Sequence, residues 1–301
     1  MRTGRFSVGY SIPNDDDYGL VKLGPALDEA ERMTVDCVEL PLYAIEVVAA
    51  GRVIPERLRK VKDITSGRSI GYTIHGPLRL NLLEQPDLLP MHRDVLKAML
   101  EVAAELGGRH FVAHSGSIPF HTANPAPRFH RQRDILAEMG DLAAANGMVI
   151  AVENLFGGSE GYAMLPSELA REIKAIGHPS VRACLDFSHA YLRSTKLGVS
   201  FLDEAAALAP FAKHLHVHDS FGVLAESHFG YRAERLAYGL GDLHLPFGLG
   251  SIPWDDLAER CEFPADPIFI HELAPPYWSD LQEAIDKTRS FAEKTKIGGR
   301  S

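Results

Sequence analysis

Residues 149–190 read VIAVENLFGGSEGYAMLPSELAREIKAIGHPSVRACLDFSHA. They open on an apolar run ending in Glu153, cross a helical pattern from Pro166 to Ile176, and close on a second apolar run, Arg182–Asp186. Proline near the first helical position and Gly177 just past the last are a helix start and stop. Strand, helix and strand in that order predict two parallel strands joined by a crossover. The same unit recurs along the chain. Short β-type runs stand at Phe6–Tyr10, Cys37–Pro41, Gly71–His75, His110–His114, Val149–Glu153, Arg182–Asp186, His214–His218 and Ile268–Glu272, eight in all. Helical spacing fills the gaps: Met91–Leu106 ends at Gly107-Gly108, and Arg131–Ala145 ends before Asn146-Gly147. The reading is an α/β fold, a single (β/α)8 TIM barrel over residues 1–301.

Composition agrees. A hydrophobic content of 46% in 301 residues supplies one large core, and no linker or charge block divides the chain. Cys37, Cys184 and Cys261 are far apart without a CxxC pattern, which suits reduced thiols in a cytoplasmic protein. The start, MRTGRFSVGYSIP, has no long apolar stretch, so no signal peptide is expected. No run approaches the ~18–20 apolar residues of a membrane span. The formal charge of −9 gives no global attraction for nucleic acid. Homo-oligomerisation stays open.

Most predicted strands end in a metal-type side chain. The set is His75, His114, Glu153, Asp186, His189, His216, Asp242, His244 and Glu272. A barrel collects such residues at its carboxyl mouth, and imidazole with carboxylate but no thiolate suits zinc, manganese or iron(II). Each motif also has a plainer reading. In LDFSHA, Asp186 could cap a helix and His189 lie on the surface; the two readings weigh about evenly. In HLHVHD, His214, His216 and His218 share one strand face. Three in-line histidines are hard to explain as packing, so at least one should be a ligand. His214 is deeper and suits a hydrogen bond inside the barrel, and Asp219 suits orienting an imidazole. In DLHLPFGLG, an extended segment would point Asp242 and His244 the same way, although polar loops with turn glycines are common. Glu153 and Glu272 end apolar runs, so each carboxylate needs a partner or a metal. His271 alternates away and reads as structural. His92, His121, His130, His178 and His228 show no partner pattern. Tyr10, Tyr43, Phe156, Trp254 and Trp278 are candidates for lining a sugar pocket, though single aromatics more often serve core or rim. The long irregular stretch from Ser220 to Gly250 reads as functional, because Asp242 and His244 lie near its end.

With these motifs in order, the chain resembles the AP endonuclease family 2 / xylose isomerase-like TIM-barrel superfamily over nearly its whole length. One branch, endonuclease IV, is a trinuclear zinc phosphodiesterase acting at abasic DNA. IHGPLRLNL, VAHSGS, VEN, LDFSHA, HVHDS, DLHLPFGLG and HEL follow its ligand motifs. The resemblance implies one metal on His75, His114 and Glu153, a second on Glu153, Asp186, His216 and Glu272, and a third on His189, Asp242 and His244. The chain departs from that branch in SVGYSIPNDDDYGL and ELPLYAIEVVAAG, where a Gly-Ala-His-Val-Ser-type strand and a Gln- and Arg-rich DNA-reading loop would stand. Leu78 replaces a tyrosine, and the acidic Asp15-Asp16-Asp17 would repel phosphate. The second branch, the sugar isomerases and epimerases, is similar in ELPLY, in the HxHxxD-like strand and in HLPFGLGSIPW. It implies one metal on Glu153, Asp186, His216 and Glu272, with the two glutamates moving a proton between sugar carbons.

The expectation is therefore a divalent-metal-dependent enzyme acting on a small sugar or sugar phosphate. Glu153 and Glu272 are the expected catalytic residues, and His218, Trp254 and Arg79 the expected substrate-binding ones. One to three zinc or manganese ions are expected, three being favoured by ligand count. The alternative is a trinuclear zinc phosphodiesterase. DNA is an unexpected partner, although Arg79 and Arg128 could partly replace the missing DNA-reading residues. A non-catalytic binding protein fits poorly with nine intact ligands.

Overall fold

The structure is a computed structural model and describes residues 6–12, 19–157, 161–224 and 231–298. Eight parallel strands close into a barrel. In chain order they are β1 (Ser7–Ser11), β2 (Cys37–Pro41), β3 (Gly71–His75), β4 (Gly108–His114), β5 (Val149–Glu153), β6 (Val181–Asp186), β7 (Ala212–Val217) and β8 (Ile268–His271). Neighbours in sequence are neighbours in the sheet, and β1 pairs with β8 to complete the ring. The described helices are α1 (Gly19–Arg32), α2 (Pro55–Thr65), α3 (Leu89–Glu105), α4 (Ala126–Ala145), α5 (Pro166–Ile176), α6 (Phe187–Leu197), α7 (Phe201–Leu208), α8 (Arg232–Tyr238), α9 (Trp254–Arg260) and α10 (Leu281–Lys294). None among the described residues is long and apolar enough to cross a membrane.

Strands buried on both faces explain the apolar runs. Inside the barrel, Cys37, Ile268 and Ile270 form one small apolar cluster, and Val112, Ala151 and Cys184 another. The larger core lies between strands and helices, with Leu40, Phe111, Leu185 and Phe269 fully buried. Gly9 on β1 is required there, because a Cβ would sit 2.1 Å from the Cys37 carbonyl oxygen. All three cysteines are buried and free, and burial pushes the Cys37 and Cys261 thiols up to about 12.

The stretch between β7 and β8 is more ordered than its composition suggests. It carries α8 and isolated bridges Asp219–Leu245 and Val223–Leu240. Asp219 accepts from the backbone N–H of Ser220 (2.9 Å), Gly248 (2.9 Å) and Ile252 (3.2 Å), and from the Trp254 indole (3.0 Å). The expectation that Asp219 orients an imidazole is corrected: it is the anchor of the loop. Gly250 belongs to the same anchor, since a Cβ there would lie 2.3 Å from the Asp219 carboxylate.

His271 illustrates how the wall handles a buried imidazole. Thr288 Oγ1 gives its only hydrogen to the Ala284 carbonyl at 2.9 Å, so at 3.2 Å it accepts from His271 Nδ1. Nε2 then has no partner, and burial, with the charges of His218 and His244 behind it, lowers the pKa to about 3. An unfolded histidine takes up its proton near pH 6.5, whereas the folded one refuses it until about pH 3. Stability is thus expected to fall as the pH drops through this window, by roughly 4 kcal/mol from this residue. Melting temperatures of wild type and His271→Gln between pH 7 and 3.5 check it. Parallel curves would refute the assignment; a flatter acid limb in the variant supports it.

Candidate metal centre

Strand pairing sets the first layer of contacts. His114 on β4 lies opposite Glu153 on β5, and Asp186 on β6 opposite His216 on β7. Glu153 is the hub. Its Oε2 lies 3.5 Å from Nε2 of both His75 and His114, and its Oε1 lies 3.2 Å from His189 and 3.3 Å from His216 Nδ1. Glu272, one residue past β8, approaches the same His216 Nδ1 at 3.6 Å, and Asp186 does so at 3.8 Å.

The end of β6 explains the spacing in LDFSHA. Asp186 uses one oxygen to cap α6, accepting from the His189 backbone at 2.7 Å, while the other lies 3.0 Å from His218 Nε2. Asp186 is therefore a helix cap, and its second oxygen faces the cluster. Asn154 clamps this strand end by exchanging two 2.9 Å hydrogen bonds with the Asp186 backbone. The Asn154 carbonyl also takes the His189 Nδ1 hydrogen at 3.1 Å, and His189 Nε2 donates to Asp242 at 3.3 Å.

Asp242 and His244 converge by a route other than the expected alternation. His244 has φ +46°, left-handed backbone rather than extended, and its Nε2 meets Asp242 at 2.8 Å. A side chain held there costs roughly 1–3 kcal/mol, and such strain concentrates at functional sites. The His244 ring stacks on His218, with centroids 4.1 Å apart and planes 2° from parallel. His218 thus sits among the ligand-type residues, its Nε2 also 3.6 Å from Glu272.

The substrate-binding expectations place unevenly. Trp254 does not face the cluster: its indole is tied to Asp219 and its ring stacks on Phe247 at 4.3 Å. Trp254 is corrected to a wall residue on this geometry. Arg79 is exposed in the loop after β3. Arg128 donates to the Leu83 carbonyl at 2.8 Å. Tyr43 and Phe156 border the cluster, edge-on to His75 at 5.2 Å and His189 at 4.9 Å, while Tyr10 packs on Trp278. His178 pairs with Asp141, His92 accepts from the Asn81 backbone, and His121 and His130 are exposed. Asp15–Asp17 and His228 lie outside the described residues.

Glu39 carries no mark in the sequence reading, yet it is fully buried on β2 beneath the cluster. Its oxygens lie 3.1 Å from His214 Nε2 and 3.2 Å from His216 Nε2. Its neighbours in VELP are apolar, so a local pattern hides it; the only hint is a lone charge inside a run read as a buried strand.

The electrostatics are those of interleaved carboxylates and imidazoles. Burial opposes the charge on Glu153, but His216, His189 and His75 hold it well below the usual carboxylate range. Burial likewise opposes charge on His244, and Asp242 and Glu272 outweigh it, raising the pKa to about 9. His114 is the exception: burial dominates and lowers it to about 4. Five buried atoms here find no hydrogen-bond partner: Glu39 Oε1, Glu153 Oε2, Nε2 of His214 and His216, and His218 Nδ1. Buried polar atoms are nearly always paired. Donor atoms of His75, His114 and Glu153, of Glu153, Asp186 and His189, and of His218, His244 and Glu272 each lie within 4.8 Å of one another. These are sets of oxygens and nitrogens that fit a zinc- or manganese-type cation.

A closed (β/α)8 barrel with histidines and carboxylates gathered at the carboxyl mouth is a class of its own. The chain belongs to the xylose isomerase-like TIM barrel family, whose model matches residues 27–293. Among solved structures it is similar to a D-tagatose 3-epimerase-like protein, at 17% identity and TM-score 0.69, over 96% of this chain and 97% of that one. It is also similar to D-psicose 3-epimerase with D-tagatose from Clostridium cellulolyticum H10, at 16% identity and TM-score 0.66, over 95% and 99%. A third is the IolI protein with a bound zinc atom, at 16% identity and TM-score 0.65, over 95% and 96%. At these identities the likeness is one of fold. No curated protein gives a significant match.

Proposed function

We propose that the chain is a divalent-metal-dependent enzyme that moves a proton between adjacent carbons of a small ketose or its phosphate, as an isomerase or epimerase. One observation carries the reading. Glu153 ends β5 and Glu272 follows β8, strands that are not adjacent in the ring, and both meet Asp186 at a single nitrogen, Nδ1 of His216, within 3.3–3.8 Å. The names of the structural relatives, epimerases of tagatose and psicose, point to the same substrate class.

Glu153, Asp186, His216 and Glu272 would hold the cation. When bound, a divalent ion withdraws electron density from neighbouring carbonyl and hydroxyl oxygens and makes the C–H bond between them more acidic. The residues then divide the work. One glutamate accepts the proton from one face of the sugar carbon and the other returns a proton, to the opposite face for an epimer or to the next carbon for an isomer. His218, fully buried, held by Asp186 and stacked on His244, would fix these two side chains beside the cation rather than touch the substrate. Tyr43 and Phe156 limit water at the rim.

The phosphodiesterase reading keeps one observation in its favour, since nine ligand-type side chains converge and a single cation needs fewer. It ranks second because Leu78, 48% exposed at the loop after β3, offers a DNA backbone no hydrogen bond. The test is incubation of zinc- or manganese-loaded protein with ketohexoses and their phosphates in D2O. Metal-dependent deuterium incorporation next to the carbonyl, read by NMR, is expected. No incorporation with any ketose, together with multiple-turnover cleavage of an abasic duplex that His114→Ala abolishes, would reverse the ranking.

A further inference from the structure

Two candidate ligand histidines have their second ring nitrogen held by a group that can only accept. His75 Nδ1 lies 2.9 Å from the Gly76 carbonyl, and His189 Nδ1 lies 3.1 Å from the Asn154 carbonyl. In both, a hydrogen is fixed on Nδ1, so Nε2 is the nitrogen that can give up its hydrogen to a cation. His216 is turned the other way. Its Nδ1 faces Glu153, Asp186 and Glu272, and its Nε2 faces Glu39 at 3.2 Å. We propose that Glu39 is a positioning residue whose carboxylate takes the Nε2 hydrogen of His216 and thereby makes Nδ1 the metal-binding atom. The inference rests on the metal-dependent reading above.

Glu39 is built for that task. It is fully buried in the barrel interior beside the apolar cluster of Cys37, Ile268 and Ile270, where an apolar side chain would avoid the desolvation cost of a charge. A carboxylate persists there only with donors around it. Thr73 Oγ1 donates to Oε2 at 3.3 Å, and His214 Nε2 lies 3.1 Å from the same oxygen. His214 is in turn backed by His110, with Nδ1 atoms 3.3 Å apart. The Thr73 hydroxyl holds Oε2, with His214 Nε2 close by, and Oε1 is left 3.2 Å from His216 Nε2, neither of these two atoms having another partner. A carboxylate behind a metal-bound imidazole fixes its ring and raises its basicity.

Glutamine at position 39 keeps the shape and exposes the role. If its amide nitrogen faces His216, it donates to Nε2, moves the ring hydrogen to Nδ1, and blocks the ligand atom. If it faces His214, His216 keeps only a neutral acceptor. Zinc affinity, measured by competition with a chelator, is expected to be about 10–100-fold weaker in Glu39→Gln than in wild type. A purely structural role would change the melting temperature of the metal-free protein and leave the affinity of the folded protein alone. Zinc binding by wild type with an affinity within twofold in the variant would overturn the proposal by itself. A wild type that binds no zinc would overturn the metal centre and this proposal with it. Should the variant not fold, 15N NMR of zinc-loaded wild type decides, with the His216 signals assigned by their loss in His216→Asn. A hydrogen on Nε2 is expected; a hydrogen on Nδ1 sinks the proposal.

Discussion

Replacing Glu153 or Glu272 with glutamine is expected to slow proton exchange on a ketose substrate by about 10²–10⁴-fold. The substitution keeps volume and removes both the negative charge and the ability to accept a proton. The two variants should differ in what else they lose. Glu153 is 1% exposed and faces His75, His114, His189 and His216. An amide there meets imidazole nitrogens on every side, so metal affinity and folding stability should fall along with the rate. Glu272 sits nearer the mouth, its side chain 12% exposed, and should lose rate with little change in fold. If one carboxylate removes the carbon proton and the other returns one, the loss should fall mainly on kcat for Glu272→Gln and on kcat and metal affinity together for Glu153→Gln. The check is deuterium incorporation under saturating metal, with circular dichroism to confirm folding. Wild-type rates in either variant would remove the acid–base assignment.

These two glutamates were legible in the sequence because each ends an apolar run. The same rule located the barrel: β2, β3 and β5 stand where the pattern puts them, and β4 is longer by two residues at its start, from Gly108. What stayed hidden is what depends on contacts across the ring. Glu39 lies among apolar neighbours, and its partners His214 and His216 are on a strand that shares no edge with β2. His218 reads as one of three in-line histidines, and its contacts with Asp186, Glu272 and the His244 ring place it in the cluster. Asp219 and Trp254 reveal their shared structural duty only when the loop closes back on itself. The left-handed backbone of His244 breaks the alternation rule at the point where its ring is aimed at Asp242.

Removing metal is expected to lower the melting temperature by about 8 °C or more without unfolding the chain at 25 °C. A ligand present at a thousand times its Kd stabilises by about 4 kcal/mol, and a chain of this size shifts by roughly 2 °C per kcal/mol. The stripped fold survives because protons can substitute for the cation. Burial opposes charge on His189 and His216, but the surrounding acidic groups raise both well above the ordinary histidine value, and His244 reaches about 9. Near pH 7 the metal-free cluster is therefore held together by imidazolium–carboxylate pairs. A cation must displace those protons, so binding should tighten as the pH rises from 6 toward 9 and weaken in acid. Each displaced proton contributes about one decade of apparent affinity per pH unit. Titrations at several pH values, with elemental analysis of protein purified without chelator, measure both slope and stoichiometry. A flat profile would mean that these histidines are not the ligands. Three metals per chain would move the balance toward the hydrolase reading, whereas one, bound with proton release and lost in Glu153→Gln, is what proton transfer on a sugar requires.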